Sequence, residues 1–194
     1  LKKPTEELFY PALEDFRFDF AVGKGPSARV MRIPLEVFTM VGATTRLGAL
    51  SGPFRNRFGL VFRLDPYSAG ESVTIARASA ARLGTVLRPG AAEEIARRGR
   101  GTPRLVNHLL KRSRDYAQAN GRDCVDLGTV REALAEMGVD ENGLDEMDRS
   151  LLRMLVVRYK GGPVGLNTLA IAAGEEPETV EEFYEPYLIQ AGFL

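Results

Sequence analysis

Only one cysteine, Cys124, and one histidine, His108, occur in the 194 residues. A lone cysteine excludes an internal disulfide and fits a reducing, cytoplasmic compartment. It reads as a small core residue, and His108, inside a helical stretch, as filler. No His, Cys or carboxylate spacing reads as a metal site. No apolar run approaches the length of a membrane span, and no signal-peptide pattern opens the chain. Repeats and low-complexity tracts are missing. Net charge is missing as well: Lys plus Arg and Asp plus Glu both number 26, so bulk charge points to no partner. A phosphate-cradling loop is also missing. Gly23-Lys24-Gly25 fails its spacing, since no glycine stands five residues earlier and no Ser or Thr follows the lysine. Nor does any apolar strand end in the Asp-Glu pair that would hold Mg²⁺.

What is present is ordinary globular composition, 44% hydrophobic and 27% charged, enough for one or two small cores. Charge is uneven along it. Arg97 to Arg122 holds eight basic residues against one Asp, whereas Asp140 to Leu194 holds eleven acidic against four basic, a net charge of −7. Leu1 opens the chain in helical sequence and Gly192-Phe193-Leu194 closes it on apolar residues. Both ends read as positions inside a longer protein.

Leu8, Phe9, Ala12, Leu13 and Phe16 recur at helical spacing and predict a helix over about Thr5 to Asp15. Phe18, Phe20 and Val22 then alternate with polar residues, Gly23 to Pro26 supplies a turn, and Arg29, Met31 and Ile33 alternate on the return. This predicts a β-hairpin over 16–33. Such a ribbon cannot bury two apolar faces alone: it packs on its own domain or offers a patch to a partner. Phe38 to Ala43 is apolar on both faces, as in a buried parallel strand. A short helix starts at Ser51-Gly52-Pro53, and Leu60 to Leu64 reads as another strand. Helices follow over about 71–83, 91–98, 102–119 and 129–137, with Gly84, Gly99, Gly121 and Gly138 at C-cap positions and Thr102-Pro103 opening the third. The last third reads as a helix over 145–159, a Gly-Gly-Pro break, and helices over 166–173 and 178–190. That is the order of a helix-turn-helix or winged-helix domain.

Two short constellations carry chemistry. Thr44-Thr45 follows the apolar run that ends at Ala43, where an open α/β sheet places its ligands. A hydroxyl there orients a water or touches a γ-phosphate; two threonines also simply end a strand and cap a turn. Arg55 and Arg57 lie beside Phe54 and Phe58. They suit stabilisation of charge on a neighbouring subunit's γ-phosphate, or form a solvated basic turn. Arg104 sits in the first turn of a helix, against the helix dipole, and a phosphate at that end would give it a reason; a plain surface arginine is the alternative.

Together Leu8 to Phe16, Gly23 to Arg29, Val41 to Arg46, Arg55 to Gly59, Gly101 to Arg104 and Tyr184 to Gln190 resemble the RuvB family of bacterial AAA+ motors for Holliday-junction branch migration. The resemblance runs the length of the chain. It implies an α/β plus α fold: residues 1–67 as the later part of a P-loop ATPase large domain with a projecting hairpin, 68–138 as a small helical lid, and 139–194 as a winged-helix head without its wing. It further implies Thr45 as the sensor-1 residue, Arg57 (rather than Arg55) as the arginine finger, and Arg104 as sensor 2. Tyr67 and Glu14-Asp15-Phe16 would contact nucleotide, and Met31 and Ile33 would dock RuvA. The implied protein is a homo-hexameric, ATP- and Mg²⁺-dependent DNA translocase or helicase. It would act without sequence preference on duplex and junction DNA in recombination and repair, with RuvC as a further partner. Its phosphate loop and Mg²⁺ ligands fall outside this segment, which alone would be inactive. A clamp-loader-like switch ATPase shares the sensor and finger logic without needing the winged head. A helix-turn-helix binding module would need a basic recognition helix, whereas Glu178 to Gln190 is acidic.

Overall fold

The computed structural model describes residues 3–22 and 29–194. The hairpin turn and the Gly23-Lys24-Gly25 stretch lie outside the described residues. The chain forms two compact units, Leu1–Leu64 and Asp65–Leu194. The helices anticipated for the lid and for the head fall together in the second.

In the first unit, α1 (Lys3–Asp15) precedes an antiparallel ribbon of β1 (Arg17–Val22) and β2 (Arg29–Pro34), in register Phe18 to Ile33 and Phe20 to Met31. Phe16 joins them at φ 51°, a conformation costly for a bulky residue. Its carbonyl accepts from Leu35 N at 2.7 Å, and its ring meets Phe38 edge-on. The small core is aromatic: Phe9 against Phe18 and Phe54, and Phe54 against Phe58. A short α2 (Gly52–Arg55) begins on Ser51, whose hydroxyl accepts from Phe54 N.

Two expectations fail here. Phe38 to Ala43 and Leu60 to Leu64 are not strands. Val41 is 88% exposed and Leu64 is 90% exposed. A parallel strand is satisfied only by flanking strands, and β1 and β2 form the only sheet among the described residues.

The second unit is helical. Helices α3 (Ala69–Arg82), α4 (Ala91–Arg98), α5 (Pro103–Ala119) and α6 (Leu127–Glu136) enclose Ala76, Ile95, Val106, Leu110, Val130 and Leu134. Ser68 and Glu71 form a reciprocal capping box on α3. Helix α7 (Glu146–Arg153) continues through a wider π turn to Arg158, which shortens the α-helix anticipated over 145–159. Helices α8 (Leu166–Ala173), α9 (Pro177–Thr179) and α10 (Glu185–Gln190) follow, the last two joined by another π turn. Leu151, Leu169, Ala170 and Val180 are their core.

Gly84, Gly121 and Gly138 have the positive φ of helix C-caps, but Gly99 does not. Its requirement is space: a Cβ there would lie 2.4 Å from Val106 Cγ2, and Arg100 takes the left-handed turn instead. Thr102 begins α5 without a side-chain cap. Cys124 is half-buried rather than in the core, with Arg88 Nε donating to its sulfur at 3.5 Å. His108 is exposed on α5.

Candidate functional site

The threonine turn resolves into two roles. Thr44 Oγ1 accepts from Arg46 N at 3.0 Å, so this hydroxyl closes the turn. Thr45, at the bend, is exposed. The Phe58 ring lies 3.6 Å from where a Cβ on Gly42 would stand, which seats the turn's approach against the arginine segment.

Arg55 and Arg57 differ sharply. Arg55, the last residue of α2, is exposed and makes no ion pair among the described residues. Arg57 is held on several sides. Its Nη1 donates to Pro53 O at 2.6 Å, its Nη2 meets Glu14 Oε1 at 2.6 Å, and its guanidinium carbon stands 4.0 Å from the Tyr10 ring centroid. Nε is buried without a hydrogen-bond partner.

Residues 14–16 are therefore engaged within the chain. Glu14 pairs with Arg57, Asp15 with Arg17 at 3.0 Å, and Phe16 with Phe38. Sequence reasoning missed Tyr10. A signal existed in the four-residue spacing of Glu6, Tyr10 and Glu14, which places all three on one face of α1. At the base of the ribbon Phe18 meets Phe9. Phe20, Val22, Met31 and Ile33 remain exposed as an apolar patch.

In the second unit the structure joins Tyr67 to the start of α5. Tyr67 N donates to Gly101 O at 2.9 Å, and Gly101, at φ 63°, passes so close that a Cβ would lie 2.7 Å from Tyr67 O. Arg104 is exposed in the first turn of α5, which contains no acidic residue. Nearby, a cleft of about 580 Å³ is lined by Tyr67, Ser72, Arg97, Arg100, Gly101 and Tyr187.

The charged groups beside this cleft are paired. Buried Glu94 accepts from Arg98 at 2.6 Å and from Arg97 at 2.9 Å. Burial alone would raise its pKa, but the hydrogen bonds from Arg97 and Arg98 outweigh burial and hold the carboxyl below the usual range. Arg100 pairs with buried Asp148 and lies over the Tyr187 ring. There burial wins, and the Asp148 carboxyl titrates above its ordinary value despite Asp145 N–H and Arg100. Among the described residues no three His, Cys, Asp or Glu gather as metal ligands. Among them, too, no helix is long and apolar enough to cross a membrane.

Three family models match in order: "Holliday junction DNA helicase RuvB P-loop domain" over residues 1–64, "RuvB AAA lid domain" over 67–140 and "RuvB C-terminal winged helix domain" over 141–194. The chain is 56% identical over 194 residues to the Holliday junction branch migration complex subunit RuvB 2 of Synechococcus sp. (strain JA-3-3Ab), covering 100% of this chain and 52% of that protein. It is 52% identical over 190 residues to the RuvB subunit of Oleidesulfovibrio alaskensis, covering 98% of this chain and 59% of that one. The Thermotoga maritima RuvB Holliday junction branch migration motor superposes with a TM-score of 0.84 at 42% identity, covering 100% of this chain and 60% of that chain. The chain thus spans little more than half the length of these relatives.

Proposed function

The chain belongs to the RuvB family, and we propose that it is the sensing and triggering half of an ATP-driven motor. The motor would be a ring of six subunits that pulls duplex DNA to migrate Holliday junctions in recombination and repair. Arg57 would act on the triphosphate of the neighbouring subunit, Thr45 would read the γ-phosphate within its own, and Arg104 would couple nucleotide state to movement of the helical lid (68–138). Tyr67, whose N–H donates to Gly101 O three residues before Arg104, would join this group. The stretch Glu14-Asp15-Phe16 would meet nucleotide through backbone, because its carboxylates are engaged by Arg57 and Arg17 and would repel a triphosphate.

The observation that carries this reading is a spacing. The solved Thermotoga maritima RuvB structures include variants replaced at an alanine, at a threonine two positions on, at an arginine fourteen on and at a proline sixty on. Ala43, Thr45, Arg57 and Pro103 stand at the same intervals here. The exposed patch of Met31 and Ile33 supports a docking role toward RuvA, with RuvC a further member of the assembly, in the cytoplasm. The head (139–194) would follow duplex without reading sequence. Its net charge of −7 from Asp140 onward argues against a phosphate grip by these residues themselves. ATP and Mg²⁺ would be held by a phosphate loop and carboxylates that these 194 residues do not contain.

The test uses a protein of full RuvB length carrying these residues. Arg57→Ala lowers ATP turnover by roughly 10³-fold or more and leaves ATP binding nearly unchanged. Near-normal turnover would refute the assignment.

A further inference from the structure

One stripe of α1 grips the segment that carries Arg57. Glu6, buried to 2% exposure, accepts from Ser51 N at 3.2 Å at the start of α2. The Tyr10 hydroxyl shares a hydrogen bond with Ser51 Oγ at 3.2 Å, and its ring lies 4.0 Å from the Arg57 guanidinium carbon. Glu14 takes Nη2 at 2.6 Å, while Pro53 O fixes Nη1. The three residues stand four apart, so a single helical face sets both ends of the Ser51–Arg57 segment.

We propose that Glu6, Tyr10 and Glu14 are positioning residues for Arg57, an inference that rests on the reading of Arg57 as the arginine acting on a neighbour's triphosphate. Guanidinium offers five N–H donors in a planar fork. Pro53 O and Glu14 take one from each terminal nitrogen, and Nε is buried. One N–H on each terminal nitrogen remains for an incoming anion. The Tyr10 ring fixes the plane of the group and the two acceptors fix its rotation within that plane. An arginine side chain otherwise loses much rotamer freedom when it engages a ligand; here that ordering is met during folding. Glu14 orients more than it neutralises, because its carboxylate is half exposed and an ion pair in water is strongly screened.

The experiment measures ATP turnover, nucleotide binding and ring assembly in the full-length protein. Tyr10→Leu and Glu14→Ala lower kcat by roughly tenfold to a hundredfold, as misplacement of a reacting group does, with assembly unchanged in both and, for Tyr10→Leu, KM and nucleotide binding unchanged as well. Tyr10→Phe, which keeps the ring beside Arg57, recovers most of what Tyr10→Leu loses. Parallel loss of turnover, binding and assembly would reduce the stripe to a structural staple and overturn the proposal. If Arg57→Ala is inactive while Tyr10→Leu and Glu14→Ala turn over normally, the positioning role alone fails. If Arg57→Ala itself is normal, the underlying reading of Arg57 fails.

Discussion

Replacing Glu94 with alanine removes the acceptor at the centre of the charged cluster at the end of α4. The Glu94 side chain is 7% exposed and the Arg98 side chain 5%. Arg98 reaches Oε1 with Nε at 3.1 Å and Nη2 at 2.6 Å; Arg97 adds its own fork, and Arg131 lies 3.6 Å away. Without the carboxylate, Arg98 stays buried with Val139 O as its remaining acceptor, at 3.2 Å. Breaking a buried pair by removing one partner costs about 3–5 kcal/mol. The surviving bond to Val139 and the half-exposed position of Arg97 place this case at the lower end, about 3 kcal/mol. For a unit of this size that lowers Tm by roughly 10 °C. Urea titration followed by circular dichroism gives the free energy directly. Replacing both partners, Glu94→Leu with Arg98→Met, recovers most of the loss, because an apolar pair of similar volume leaves no buried charge. A loss below about 1 kcal/mol for Glu94→Ala, the scale of an exposed pair, would refute the reasoning. So would a double variant weaker than the single one.

The same carboxylate sets a pH dependence. Its pKa is depressed in the folded chain, so its stabilisation is fully present above the ordinary glutamate range and is lost as pH falls through the depressed value; Glu94→Gln flattens that acid limb in a pH series of urea midpoints. Asp148 has the opposite sign. Burial raises its folded pKa, so the folded state holds its proton longer and stability falls as pH rises from the ordinary aspartate value through the raised one; Asp148→Asn removes that decline. Gly101→Ala drives a Cβ to 2.7 Å from Tyr67 O at φ 63° and costs roughly 1–3 kcal/mol by urea titration. Gly84→Ala, at φ 62° with nothing within 4 Å, costs about 1 kcal/mol, the backbone strain alone.

The helices of residues 65–194 were legible because their signals are local. Pro103 after Thr102 and the glycines at 84, 121 and 138 each mark an end within one turn of the residues they govern. The ribbon was legible from its period of two. The apolar runs at 38–43 and 60–64 were misread for a physical reason. A run apolar on both faces specifies what it needs around it, but a strand exists only where neighbouring backbones complete it. At the candidate site, residue type marked Thr44 with Thr45, Arg55 with Arg57, and Arg104, each beside a plainer reading, and only the family resemblance singled out Thr45 and Arg57. The resemblance also implied a nucleotide contact for Glu14, yet its carboxylate faces Arg57 forty-three residues away.

The basic stretch from Arg97 to Arg122 shows most clearly where residue type stops informing. On sequence it concentrates positive charge, as a polyanion-binding surface would. In the structure Arg97, Arg98 and Arg100 donate to the backbone carbonyls of Glu141, Val139 and Gly143, all more than forty positions downstream. Carbonyl acceptors leave no trace in a sequence, because every residue has one. Glycine leaves a partial trace. Gly143, at φ 77°, runs so close beneath Arg98 that a Cβ would lie 2.9 Å from its carbonyl oxygen. With Asp148 on Arg100 and Tyr187 stacked beside it, these arginines spend their donors within the second unit. Arg104, four residues further on, is exposed in a first helical turn that contains no acid. The positive charge available to a phosphate in this stretch is therefore set by burial and pairing, and the count of basic residues overstates it.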